Sequence, residues 1–156
     1  MKKTSALVIV MLALMTAGCS VFVRPPAETA KGGKVVVILY KHSGFKDAVV
    51  ASVKSSLEGK GYTIVTESTK RAKFFKAAEY GAVVYMADNW MRHVPRHAVR
   101  YNKQNGEAPN ILFVVTSGDP DIKIKKPFDA VTSASKSDRV EPVAKEMLGR
   151  LATVLK

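Results

Sequence analysis

The sequence predicts an α/β domain in which a five-stranded parallel sheet is covered by helices on both faces. Short, continuously apolar and β-branched runs, typical of strands buried on both faces, alternate with stretches whose apolar residues recur at helical spacing. Such alternation is typical of a doubly wound sheet, and five strands of this length favour the order 2-1-3-4-5. The chain has 156 residues, which is the size of one domain.

The first half of the domain begins with an apolar run over 35–40 (VVVILY), predicted as the first strand. The apolar residues that follow are four apart, as on one face of a helix: Phe45, Val49, Val53 and Leu57. Gly59 and Gly61 are typical of the end of that helix. The second strand is then predicted over 62–66 (YTIVT), followed by a short basic helix over 69–79 (TKRAKFFKAAE).

The second half repeats the alternation. Three further strands are predicted, over 82–87 (AVVYMA), 111–116 (ILFVVT) and 130–133 (AVTS). Pro95 suits the first turn of a helix over 95–104. The last helix is predicted over 141–155, and its apolar residues are in register: Val143, Met147, Leu151 and Leu155.

The N-terminus has the features of an export signal. Lys2 and Lys3 precede an unbroken apolar run over 6–15 (ALVIVMLALM), which is too short to span a bilayer and suits a signal peptide. The small residues 16–18 (TAG) then lead to Cys19, the single cysteine. This arrangement resembles a bacterial lipoprotein signal; a plain secretory signal with an incidental cysteine is the alternative.

The resemblance implies that residues 1–18 are removed and that Cys19 is lipidated, which attaches the chain to a membrane. Aspartate after the cysteine is typical of retention in the inner membrane, so Ser20 implies the outer membrane, facing the periplasm. Residues 19–33, which contain a proline pair and a glycine pair, are predicted as a tether. The folded domain is predicted over 34–156.

The charge balance favours an anionic partner. Lys and Arg number 25 against 13 Asp and Glu, a formal charge of +12, which falls by two when Lys2 and Lys3 leave with the signal. An exported chain does not meet genomic DNA, so we do not expect nucleic-acid binding. Anionic lipid headgroups, a phosphate-bearing ligand or an acidic envelope partner agree better with the charge. A single cysteine excludes a CxxC pair and a multi-cysteine metal site.

Ligands of doubly wound sheets bind at the carboxyl ends of the strands. Four loops therefore carry the candidate site: 41–45, 87–94, 117–121 and 134–138. The first of them is neither a GxGxxG dinucleotide fingerprint nor a Walker A loop. Because no acidic pair lies near the first strand, the loop also lacks what a receiver domain requires.

The first loop, with Ser43-Gly44 between a strand and a helix, resembles the phosphate loop of the flavodoxin-like family, which holds FMN with hydroxyls and backbone N–H groups around a Thr-Gly core. The resemblance covers the element order of 34–156. It implies a flavodoxin-like fold and FMN as the candidate cofactor. The candidate residues for its phosphate are Lys41, His42, Ser43, Gly44, Phe45 and Lys46. Three of these, Lys41, Phe45 and Lys46, depart from the family's hydroxyl or amide positions, and an ordinary strand–helix turn with solvated lysines is the alternative.

The loop after the third strand contains the only tryptophan, Trp90, with Asn89 and Arg92 beside it. The flavodoxin resemblance implies that Trp90 stacks on the flavin ring; a hydrophobic lid over the sheet edge is the alternative. His93 and His97 are four apart, but a proline separates them and arginines flank them, so no metal site is predicted.

The loop after the fourth strand offers Ser117 and Gly118, which the resemblance implies as donors to the flavin edge and which also suit an ordinary turn. Lysines at 123, 125 and 126 form a solvated or headgroup-facing edge. No GxSxG elbow or carboxylate pair is present, so no catalytic residue is predicted, and hydrolysis of an anionic envelope substrate has no support.

Two functions remain. The first is an envelope lipoprotein whose flavodoxin-like domain binds FMN or another phosphate-bearing ligand for electron transfer. The second is a cofactor-free interaction module of the cell envelope. The incomplete phosphate loop favours this alternative, and a flavodoxin-like fold does not by itself require a cofactor.

Overall fold

The computed structural model describes residues 30–89, 93–119, 123–124 and 126–155. Five strands lie in this part of the chain: β1 (Gly32–Tyr40), β2 (Thr63–Ser68), β3 (Tyr80–Asp88), β4 (Ile111–Ser117) and β5 (Ala130–Ala134). It also contains three α-helices: α1 (Gly44–Glu58), α2 (Arg96–Gln104) and α3 (Val140–Val154). None of these helices combines the length and apolar character needed to cross a bilayer. The predicted signal peptide and Cys19 lie outside the described residues.

The strands form one sheet in the order β2-β1-β3-β4-β5, and every neighbouring pair is parallel. The predicted doubly wound fold and strand order are therefore confirmed. The reversal of strand order between β1 and β3 leaves a crevice at the carboxyl ends of these two strands. The α1 helix follows β1 there, so its N-terminus lies at the same edge as the end of β3.

The first strand begins earlier than the predicted domain boundary. Gly32 and Gly33, the last residues of the predicted tether, belong to β1. Near Gly33, β1 and β3 approach so closely that a Cβ on Gly81 would lie 2.0 Å from the Gly33 carbonyl oxygen. A side chain at position 81 would force the two strands apart, so the close approach requires glycine.

One face of the sheet, called here the α1/α3 face, packs against α1 and α3. The apolar residues of these helices, Val49 and Met147 among them, lie against Val36 and Ile38 of β1, and all four are fully buried. The predicted stripes of both helices are confirmed. Pro142 lies in the first turn of α3, where a missing N–H costs no helical hydrogen bond.

The opposite face, called here the α2 face, packs against α2 and residues 69–79. The sequence predicts an α-helix over 69–79, but the structure contains two 3-10 turns instead, Thr69–Phe74 and Ala77–Glu79, separated by extended backbone at Phe75. The core residues of this segment are Ala72, Phe75 and Ala77, and their short spacing does not follow the period of an α-helix.

Side chains from outside the segment explain why the α-helix does not form. The Tyr101 hydroxyl donates to the Phe75 carbonyl at 2.6 Å, and the Ala77 N–H donates to the Asn105 amide oxygen at 2.7 Å. The Asn110 amide donates to the Ala77 carbonyl at 2.9 Å. These backbone groups would otherwise bond within a helix, so tertiary hydrogen bonds replace the helical ones.

Candidate functional site

The candidate site begins at the N-terminus of α1. Ser43 has extended backbone and caps the helix, since its hydroxyl accepts from the Lys46 N–H at 3.3 Å. Its carbonyl accepts from the Asp47 N–H at 2.8 Å. The first-turn N–H groups of Gly44 and Phe45 have no helical carbonyl to bond. They are therefore the donors that this helix can offer to an anion.

Lys46 joins the helix to the sheet rather than facing solvent. Its side chain is 2% exposed, and its Nζ donates to the Asp88 carboxylate at 2.5 Å. Asp88 is the last residue of β3, and the hydroxyl of Thr116, its neighbour on β4, lies 3.1 Å from the same carboxylate oxygen. The sequence predicts Lys46 as a phosphate partner, but the structure gives its ammonium a carboxylate partner beneath the loop.

Asp88 is held as a carboxylate by this arrangement. Partial burial raises its pKa, but the hydrogen bond and charge of Lys46, the Thr116 hydroxyl and the charge of Lys41 together bring the pKa below its ordinary value. An ammonium as deeply buried as that of Lys46 requires such a partner, because an unpaired buried charge costs several kcal/mol. The ion pair therefore positions the end of β3 against the first turn of α1.

A second carboxylate lies at the other side of the loop. The Asp47 carboxylate is 2.8 Å from Nδ1 of His42, which stacks at a tilt on the Tyr40 ring with a centroid distance of 4.8 Å. Burial, a hydrogen bond to Asp47 and the charge of Asp47 raise the pKa of Tyr40. Lys41 is exposed and makes no ion pair among the described residues, so it is the basic side chain of this loop that is available to a ligand.

The side chain of Asn89 has an unmet hydrogen-bonding capacity. Its backbone N–H donates to the Thr116 carbonyl at 2.7 Å, which fixes the residue just beyond β3. Both amide atoms, Oδ1 and Nδ2, are buried, and neither has a hydrogen-bond partner. An unsatisfied buried amide costs about 1–3 kcal/mol, so such a group in a folded protein needs an explanation. Trp90 and Arg92, the other predicted residues of this loop, lie outside the described residues.

The loop after β4 closes on itself. The Ser117 hydroxyl accepts from the Asp119 N–H at 2.8 Å and lies 2.9 Å from the Asp119 carbonyl oxygen, to which it donates. Ser117 is buried and Gly118 is exposed. The Ser117 side chain therefore stabilises its own turn, and the exposed backbone around Gly118 is the part of the loop that faces outward.

The structure brings together residues that sequence reasoning treated separately. The first loop and the end of β3 lie together, as the sequence predicts, but the contact that joins them is the pair of Lys46 and Asp88. The sequence predicts neither Asp88 nor its partner Thr116 as a site residue. A signal for both existed, since each is a polar residue at the carboxyl end of a strand. Within the described part of the chain, no group of three or more His, Cys, Asp and Glu side chains could hold a metal ion.

No protein-family model matches the sequence, and comparison with curated proteins finds no match. Solved structures do match the fold. Oxidised flavodoxin 2 from Bacillus cereus is 10% identical with a TM-score of 0.51, and the match covers 76% of this chain and 97% of that one. An archaeal flavodoxin is 10% identical with a TM-score of 0.51, covering 77% and 97%.

A third neighbour is a Fusobacterium nucleatum flavodoxin mutant bound to flavin mononucleotide. It is 8% identical with a TM-score of 0.52, covering 78% of this chain and 96% of that one. At such low identity the likeness concerns the fold, and it agrees with the strand order and with the three helices of the described residues. The described residues therefore have a flavodoxin-like fold.

Proposed function

We propose that this chain is an envelope lipoprotein, anchored through Cys19, whose flavodoxin-like domain binds a flat, phosphate-bearing ligand at the carboxyl edge of the sheet. FMN is the leading candidate for that ligand. The observation that carries the proposal is the buried side-chain amide of Asn89, which has no hydrogen-bond partner. Asn89 follows Asp88, and the ion pair of Asp88 with Lys46 holds this loop beside the N-terminus of α1. A structurally similar flavodoxin is bound to flavin mononucleotide, which supports the choice of ligand.

The residues present suit the phosphate end of such a ligand. The N–H groups of Gly44 and Phe45 would hold phosphate oxygens, the exposed Lys41 would add charge, and the helix dipole favours an anion there. Apart from Gly44, its chain neighbours and the backbone of its own helix, no atom lies within 4 Å of the position where a Gly44 side chain would begin, so this side of the turn is open. Lys46 does not contact the phosphate in this arrangement. Its ion pair with Asp88 holds the loop before α1 beside the loop after β3.

The amide of Asn89 suits the polar edge of a ring system, and exposed backbone at Gly118 lies on the neighbouring loop. FMN, when bound, supplies one- or two-electron transfer. The protein's own contribution is to bind and orient the ligand, and we assign no catalytic residue.

Titration of the full chain, purified in mild detergent, with FMN, riboflavin and inorganic phosphate tests this binding. A matched pair of variants isolates the phosphate contact, because aspartate and asparagine both cap a helix. Ser43→Asp places a carboxylate at the phosphate and should abolish FMN binding, whereas Ser43→Asn should retain it. Lys41→Gln should weaken FMN binding by about 1.5–3 kcal/mol, the usual contribution of one charge-assisted bond. Lys60→Gln, on the exposed turn after α1, is the control.

Equal affinity for FMN and riboflavin would contradict the phosphate contact. If neither FMN nor riboflavin binds at millimolar concentration, the cofactor-free interaction module becomes the better hypothesis. That alternative has its own observation, since His42 and Lys46 already have the carboxylates of Asp47 and Asp88 as partners.

The anchoring part of the proposal rests on the sequence around Cys19. Metabolic labelling with a fatty-acid probe tests it, since the wild-type chain should be labelled and Cys19→Ala should not. Equal labelling of the two chains would contradict lipidation at this residue.

A further inference from the structure

The outer surface of α2 carries three cations in one stripe. Arg96, Arg100 and Lys103 are four and three residues apart, a spacing that places them on one side of an α-helix. All three are exposed, and the opposite side of the helix carries the buried residues Ala98 and Tyr101. The stripe therefore points away from the sheet.

The 69–79 segment carries a second stripe. Lys70, Lys73 and Lys76 are three residues apart and exposed, while Ala72 and Phe75 are buried. Because a 3-10 helix has three residues per turn, Lys70 and Lys73 lie one above the other. The segment therefore presents Lys70 and Lys73 on one side.

The 69–79 segment and the end of α2 lie close together. A cavity of about 220 Å³ separates them, lined by Lys73 and Lys76 of the segment and by Gln104 and Asn105, which follow Lys103 in the chain. Both stripes therefore belong to the α2 face. Their six cations are called the cationic ridges: Lys70, Lys73, Lys76, Arg96, Arg100 and Lys103.

The cationic ridges have no counter-charge of their own. None of the six makes an ion pair within the described residues, since the nearby Glu67 pairs with Arg71 and Glu79 pairs with Lys31. Glu107, beyond α2, is exposed and unpaired among the described residues. Unpaired like charges on one surface repel one another, so this arrangement favours an external anion.

The path of the chain places this surface near the proposed anchor. Lys31, just before β1, is 3.1 Å from Glu79, the last residue of the 69–79 segment. The chain therefore reaches the domain beside the 69–79 segment, which carries three of the six cations. From Cys19 to Lys31 an extended chain could span about 40 Å at roughly 3.3 Å per residue, which is enough to let the ridges touch the same membrane.

We propose that the cationic ridges dock the domain onto the anionic phospholipid headgroups of the membrane that carries the anchor, with lipid phosphates entering the cavity between Lys73 and Gln104. The inference takes from the proposed function only the position of the anchor. Basic residues near an anionic bilayer each strengthen binding several-fold, and six on one surface hold a tethered domain in one orientation. That orientation leaves the carboxyl edge of the sheet accessible from the side.

Flotation of the full chain with lipid vesicles tests the docking. Vesicles of phosphatidylcholine alone are compared with vesicles that also contain phosphatidylglycerol, and the ratio of the two partition coefficients removes the contribution of the apolar N-terminal segment. Lys73→Glu/Lys103→Glu should lower this ratio by roughly thirtyfold or more, from about fivefold for each cation lost near the surface. Lys60→Glu/Lys145→Glu, which changes the net charge equally at exposed sites away from the ridges, should leave the ratio near that of the wild type.

Several outcomes would overturn the docking: no preference for phosphatidylglycerol, or an equal loss in both double variants, which would indicate net charge alone. Release from the vesicles by a small amount of polyglutamate would point instead to an acidic protein as the partner. Failure of the proposed function is distinguishable, because fatty-acid labelling and FMN titration do not depend on Lys73 or Lys103. Unchanged thermal unfolding of the variants would show that the substitutions leave the fold intact.

Discussion

The two faces of the sheet both have buried cores but differ in the charge of their outer surfaces. On the α1/α3 face, the two 15-residue helices together carry four basic and four acidic residues. On the α2 face, the 69–79 segment and α2 carry seven basic residues and one acidic residue. Val36 and Val37, adjacent in β1, point to opposite faces and are both fully buried.

This contrast separates the apolar burial that stabilises the fold from the surface charge that the fold does not require. Burial of apolar residues stabilises both faces, and three of the four basic residues on the α1/α3 face, Lys46, Lys54 and Arg150, have carboxylate partners. The cationic ridges have none, and no requirement of folding explains them. A charge distribution that the fold does not need is a reason to look for a partner.

The largest expected effect tests whether both faces are covered equally well. Val36→Asp and Val37→Asp each bury an unpaired carboxylate, which costs several kcal/mol against a total stability of about 5–15 kcal/mol. Both variants should lose cooperative thermal unfolding, while Ala51→Asp on the exposed side of α1 should not. A near-normal melt for Val37→Asp alone would show that the 69–79 segment leaves its face open to water.

A smaller effect concerns the Lys46–Asp88 pair at the edge between the faces. Asp88→Ala leaves a buried ammonium without a partner, and we expect a loss of up to about 3–5 kcal/mol in the free energy of unfolding. Lys46→Met should cost less, because Asp88 is 60% exposed and water can solvate it. Denaturant unfolding measures both, and an equal cost would contradict the asymmetric burial of the pair.

The same pair predicts a dependence on pH. The pKa of Asp88 lies below its ordinary value in the folded protein, so its contribution is present above the unfolded pKa of about 3.9 and is lost as pH falls through the lower folded value. Asp88→Asn should therefore reduce the loss of stability on acidification. Parallel acid profiles for the variant and the wild type would contradict this assignment.

The smallest effect is on the pKa of His97, which lies next to Arg96 on α2. Burial and the charge of Arg100 lower the pKa of His97, and Asp88 acts in the opposite direction. Arg100→Gln should raise that pKa, by a small amount because solvent screens an exposed charge. An NMR titration of the His97 ring measures the shift. Arg150→Gln on the α1/α3 face is the matched control and should leave the titration unchanged.

Sequence reasoning predicted most of the fold and only part of the site. The strands could be recognised because buried β-branched runs such as 35–40 differ from helical spacing, and the parallel order followed from their alternation with helices. The composition of residues 69–79 predicts an α-helix, and this prediction is wrong. Hydrogen bonds with the side chains of Tyr101, Asn105 and Asn110 determine its backbone conformation instead. These residues lie far along the chain, so the sequence of the segment itself does not indicate them.

Sequence patterns are sufficient to predict the doubly wound sheet, the two long helices and the sheet edge that carries Ser43 and Asn89, because each depends on a local period or on a general rule of chain connection. The bond from Lys46 to Asp88, 42 residues away, and the cavity between the 69–79 segment and the end of α2 depend instead on how the folded chain packs. Pairing and proximity of this kind depend on which surfaces the packed core brings together. Residues throughout the chain determine that packing, so no short segment of the sequence predicts these contacts.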